Sequence, residues 1–248
     1  MSHRSALVAA ALAAAALAPR AASAQAPAAA PAVPLTHTTI DLGFVSASGN
    51  TRLRTLNAAE QFVVQPGPWK FTQNFGIVNG TTDGAATANN IHLGLRADYA
   101  ITPRVRAYGI AVFDRDRFAG IARRFGEQLG ASFGALMGPR HIVDLEIGAG
   151  RNQQISPAAA VTDYWLGRGA VHYRFTFRPT SYLDEKLELL QSVQSGPERR
   201  INSDAALVAP LVSGIALRFG YTVHFVNQPP PGFKQTDQIV SSGVQIAF

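Results

Sequence analysis

Three successive stretches carry charged residues of one parity: Asp144 and Glu146, then Arg168 and Arg174, then Asp184, Lys186 and Glu188. Residues an even number apart share one face of a β-strand, so each stretch would present its charges together. In antiparallel neighbours such charges meet across the ladder, and a turn at Pro179 brings Arg174 beside Asp184. Arg96, Asp98 and Arg218 hold the same parity in their own stretches. A ring of this kind has two uses: a constriction that selects ions or anionic solutes, or a set of pairs that fills an interior and stiffens its wall. His92, His172 and His224 share the parity, as do Ser132 and Ser241, which raises a Ser/His/acid hydrolase site. No Gly-x-Ser-x-Gly elbow, His-x-x-x-His pair or cysteine pair accompanies them. We therefore expect no enzyme activity, catalytic residue, metal or cofactor. His141, beside Pro139, reads as solvated.

The elements that must position these charges are strands. Apolar residues alternate with small or polar ones almost throughout, a period of two. Ile91, Leu93, Leu95, Ala97 and Tyr99 oppose His92, Gly94, Arg96 and Asp98; Val143, Leu145, Ile147 and Ala149 oppose Asp144, Glu146, Gly148 and Gly150. Tyr108, Ile110 and Val112 form the apolar set between them, and Ile215, Leu217, Phe219, Tyr221, Val223 and Phe225 oppose Ala216, Arg218, Gly220, Thr222 and His224. The pattern predicts about twelve strands, with weak registers near 52–64 and 204–209. Tight turns are expected at Pro66, Pro103, Pro139, Pro179 and Pro210, alternating with long polar loops over residues 79–89, 114–124 and 151–160 and at Ser195 and Pro229. Short turns alternating with long loops is the asymmetry of a membrane barrel. Trp69, Tyr99, Tyr173, Phe175 and Phe248 fall near the short turns or the terminus, as an interfacial girdle requires. Residues 79–90 have the composition of a cation loop without EF-hand spacing and read as a flexible loop. The arginines among residues 114–124 suit phosphate groups of lipopolysaccharide.

Residues 1–24 combine a basic start, an apolar run and an Ala22-Ser23-Ala24 site, which predicts a signal peptide. An Ala/Pro-rich linker, 25–37, leads to the barrel, 38–248. The chain has no cysteine, so no disulfide framework supports it. Its net charge of +6 is mild and scattered, unlike the concentrated patch of a nucleic-acid binder. No stretch after the signal is long and apolar enough for a membrane helix, so a membrane-spanning form must be a closed barrel. A soluble sandwich or lipocalin-like barrel also alternates. The exported start, the scarcity of lysine and the even strand count favour an antiparallel transmembrane β-barrel.

The last stretch ends on Phe248 after Val240, Ser242, Val244 and Ile246, and resembles the closing strand that bacterial barrels present as an assembly signal. Gly43-Phe44-Val45-Ser46-Ala47-Ser48-Gly49-Asn50-Thr51 resembles the opening motif of the salt-induced outer-membrane proteins of YdiY type. Thr236-Asp237 with the final residues is similar to that family's ending. The resemblance implies a location in the bacterial outer membrane, with its lipids, lipopolysaccharide and barrel assembly machinery as partners, and supplies no catalytic motif. The expected role is an envelope barrel with a narrow, charge-lined pore. The alternatives are a closed structural or surface-binding barrel and, third, a lipid hydrolase. The oligomeric state is left open.

Overall fold

The computed structural model describes residues 36–47, 53–194, 198–229 and 232–247. The expected signal peptide, the loop at Ser195, the Pro230-Pro231 segment and Phe248 lie outside them. The described chain forms β1 (Thr36–Ala47), β2 (Leu53–Val64), β3 (Trp69–Thr82), β4 (Ala85–Ala100), β5 (Val105–Asp116) and β6 (Ile121–Met137), followed by β7 (His141–Ile155), β8 (Val161–Arg178), β9 (Ser181–Ser192), β10 (Arg199–Val212), β11 (Ile215–Val226) and β12 (Thr236–Ala247). Each strand pairs antiparallel with its chain neighbours, and β1 pairs with β12, closing a twelve-stranded barrel. The barrel leaves no continuous free edge, which answers the backbone's need for partners in lipid.

Parity decides what faces where. Outward residues are large, apolar and bare: Leu129 is 74% exposed, Ile147 73% and Val240 80%. At about 25 cal/mol per Å² of apolar surface, such a band is unfavourable in water and favourable in a bilayer core. Aromatic rings gather on this face at the rim of the tight turns, where Trp69 stacks on Phe71 at 5.7 Å and packs against Tyr99 at 4.9 Å. His141, expected to be merely solvated, joins the same belt, stacking on Phe175 at 4.8 Å and sharing a hydrogen bond with Tyr173 at 3.0 Å.

Several expectations are corrected. Residues 79–89 form no loop: β3 and β4 continue to a two-residue turn at Asp83 and Gly84, whose φ values of 50° and 83° suit a primed hairpin turn. Asp114 and Arg124 are strand partners facing the lumen, and the loop between β5 and β6 is residues 117–120. The next loop shortens to 156–160. Pro210 does not end its strand; it sits at a bulge in β10, a position that needs no ladder N–H, and the turn falls at Gly214 with φ 74°. The weak stretches prove to be full strands, β2 and β10. In β5 the polarity is reversed: Tyr108 opposes Asp98 and Ile110 opposes Arg96, so the apolar set turns inward and Ala107, Gly109 and Ala111 face out.

Candidate functional site in the lumen

The inner face is uneven. Along β4 to β9 it is filled by an ion-paired network with Arg168 at its centre. Arg168 donates through Nη1 to Glu146 Oε2 at 2.6 Å and to the Tyr108 hydroxyl at 2.9 Å, and through Nε to Glu188 Oε1 at 2.6 Å. Asn202 donates to the other oxygen of Glu188 at 2.8 Å. Arg96 reaches across two strands to Glu146 at 2.8 Å, donates to Asp98 at 2.7 Å, and lies over the Tyr108 ring at 4.4 Å. Arg106 pairs with Asp144 at 2.6 Å and with Ser132 Oγ at 3.2 Å.

The glycines opposite Tyr108 permit this density. A Cβ on Gly130 or on Gly148 would stand 2.5 Å from the Tyr108 hydroxyl, so only glycine lets the ring lie flat on β6 and β7. Arg168 is 5% exposed, Asp98 4% and Ser132 1%. Charges this buried hold only because each has an opposite partner.

A second chain of contacts runs nearer the tight turns. Arg174 donates to Asp184 at 2.7 Å, in the register expected from Pro179, and His172 meets the other Asp184 oxygen at 2.6 Å. Arg174 stacks on Tyr182 at 4.6 Å, and the Tyr182 hydroxyl donates to Gln245 at 3.3 Å. Gln245 donates to Asp41 at 3.1 Å, and Arg218 lies 3.6 Å from Asp41. At the opposite mouth His92 meets Asp114 at 2.7 Å, Arg124 meets the same carboxylate at 3.1 Å, and Tyr164 donates to Glu198 at 2.7 Å beneath Arg200. His224 is held by Asn202 at 3.0 Å.

Ten charges expected on the inner face are there, in three different conditions. Arg96, Asp98, Glu146, Arg168 and Glu188 form the central network. Asp144, Arg174, Asp184 and Arg218 form satellite pairs. Lys186 is exposed and has no ion pair within 4 Å among the described residues. Sequence reading missed Arg106, Tyr108, Asp41 and Asn202. Asn202 shares the parity of Asp204 and was legible in it, whereas Arg106 and Tyr108 belong to the parity of the apolar set of β5 and gave no such signal.

The remaining arc is open in places only: Ala206, Val208 and Gln245 are buried where Tyr182 of β9 reaches across to Gln245 of β12, while water reaches other positions there and Lys186 at its border on β9. Inward residues Ala59, Gln61, Lys70, Lys186 and Asp204 are all exposed. Their neighbours on the inner face are small: Gly76, Gly220, Ser241 and Gly243. Lys186, Lys70 and Asp204 are thus the inner charges outside the network that water reaches.

This architecture is similar to that of an outer-membrane channel from Pseudomonas putida F1, at 13% identity, with a TM-score of 0.54 over 90% of this chain and 99% of that one. The translocator domain of the autotransporter NalP from Neisseria meningitidis matches at 13% identity and TM-score 0.47, over 86% of each chain. The NanC porin matches at 9% identity and TM-score 0.46, over 84% of this chain and 97% of that one. Among curated proteins none matches. The fold is thus that of outer-membrane barrels, and a family profile covers residues 40–248: the chain belongs to DUF481, a family of proteins of unknown function.

Proposed function

We propose that this protein is a bacterial outer-membrane barrel, not an enzyme, that passes ions or small solutes passively through a narrow, eccentric, charge-lined lumen. The observation that carries the reading is the contrast between the two arcs of the inner wall. The arc of β4 to β9 is packed with paired charges except at its border, where Lys186 of β9 is exposed, and the other arc leaves Ala59, Gln61 and Asp204 open to water. In this reading the buried pairs hold the wall in shape, and the solitary Lys186 sets ion preference. The outer face meets membrane lipid, and the exposed arginines Arg117 and Arg123 at the loop end suit lipopolysaccharide phosphates. The assembly machinery would receive the C-terminal strand, and salt-responsive expression follows from the family resemblance.

Liposome swelling with the refolded barrel tests the passage. Pentoses and smaller solutes should swell the vesicles while trisaccharides do not. Equal exclusion of glycerol and trisaccharides would favour the second reading, a closed structural barrel, for which the density of the central network is the supporting observation.

A further inference from the structure

The barrel's closure is unequal around its circumference. Neighbouring strands elsewhere share ten to fifteen register pairs, whereas among the described residues β1 and β12 share four, from Thr39 opposite Ala247 to Leu42 opposite Val244. All four lie in the half toward the tight turns. Beyond them, residues 43–47 of β1 remain paired with β2, and residues 236–243 of β12 remain paired with β11, but the two strands do not pair with each other.

Gly43 and Gly243 mark the point of separation. A Cβ on Gly243 would stand 3.3 Å from the Gly43 Cα, and one on Gly43 would stand 2.7 Å from the Ser242 carbonyl oxygen, so the backbones still touch there, and the register ends at this point. Unpaired N–H and C=O groups at that depth cost several kcal/mol each if they face hydrocarbon alone. Something polar must therefore meet them.

We propose that this gap is a lateral port, through which an amphiphile from the outer leaflet, with a small polar head and an apolar chain, enters the open arc of the lumen. The inference rests on the reading of the chain as a membrane-spanning barrel. The chemistry of the rim selects the ligand. Outside, Phe44 is 66% exposed and Val240 80%, which presents apolar surface to a chain. Inside, Ser241 and the Asn57 amide, which folds over Gly43, join the unpaired backbone groups as partners for a head group. Ala59 and Gln61, exposed on the inner wall, lie on β2 opposite Asp41 and Thr39, two and four residues below Asn57 at the foot of the gap. The ion network closes the opposite side, so a head group that passes the gap meets the exposed wall at Ala59.

The chain's lack of cysteine makes the test direct. Paired Leu42→Cys and Val244→Cys variants sit within the closed register, where Cα atoms about 4.5–5.5 Å apart oxidise readily. Phe44→Cys with Ser242→Cys lies one step beyond it. In lipid vesicles the first pair should form its disulfide at least about tenfold faster than the second.

Entry is read separately, with Ala59→Trp as the reporter after Trp69→Phe and Trp165→Phe remove the outward rings. Lysophosphatidylcholine with a brominated dodecyl chain should quench it. Locking the 44/242 pair with a strong oxidant should abolish the quenching, and reduction should restore it. Equal oxidation rates for the two pairs, quenching that survives the lock, or covalent dimers through position 44 would each overturn the port. None of these readouts uses ionic current, so a barrel silent to ions would contradict the pore reading and leave this one to stand or fall alone.

Discussion

At the scale of single residues, the lumen separates charges buried in ion pairs from charges that water reaches. Glu146 is shared by Arg96 and Arg168, so Glu146→Ala takes one of two carboxylates from each guanidinium group, Asp98 and Glu188 remaining; we expect a loss of about 1.5–3 kcal/mol, read as a lower urea midpoint for the refolded barrel. Lys186→Glu should lower that midpoint by less, since Lys186 has no ion pair within 4 Å among the described residues and its exposed position lets water screen the carboxylates of Asp184, Glu188 and Asp204 around it. It should instead shift the reversal potential in a salt gradient toward cation preference. A midpoint that falls as far for Lys186→Glu as for Glu146→Ala would contradict the division. The period-two parity in the sequence placed these charges correctly on one face, because β-strand geometry admits only two faces. It could not rank them, since whether a side chain is buried or wet depends on Tyr108, Gly130 and Gly148, which come from three different strands.

At the scale of elements, the outer and inner faces of each strand belong to different solvents. On β7, Ile147 points outward at 73% exposure, beside the inward Glu146. Ile147→Arg should cost about 2–4 kcal/mol in a bilayer, as a charge on the lipid face does, and almost nothing if this face were wet. Unfolding midpoints in vesicles and in detergent-free buffer after amphipol transfer distinguish the two. On β6, Gly130→Val would press on Tyr108 and cost about 1–3 kcal/mol, and Tyr108→Ala in the same chain should recover part of the loss. Strand number was legible because nearly every strand alternates. Strand length was not: the Asn, Thr and Asp residues of 79–89 read as loop, yet they extend β3 and β4 past the apolar band to the Asp83-Gly84 turn. β5 misled for a different reason. Its inward positions carry Tyr108, Ile110 and Val112, of which Tyr108 lies under Arg96, and so reverse the usual polarity.

At the scale of the whole molecule, the described chain enters β1 and leaves β12 at the rim of the tight turns, and the longer loops lie at the other rim. The twelve strands, at 12 to 18 residues each, exceed the roughly 9–11 needed to cross a bilayer, so the far rim stands clear of the membrane. A cysteine placed at Ala119 should react with a membrane-impermeant maleimide on intact cells, and one at Thr102 should react only after the outer membrane is opened. The reverse pattern would invert the orientation. The central claim, that water and ions pass beside the charge network, is tested most directly by single-channel recording of the refolded mature barrel in a planar bilayer. The account predicts small, reproducible conductance steps whose ion preference moves with Lys186→Glu. Silence from barrels shown by circular dichroism and heat-modifiable gel migration to be folded would contradict it, and would make the inner charges a wall-stiffening network alone.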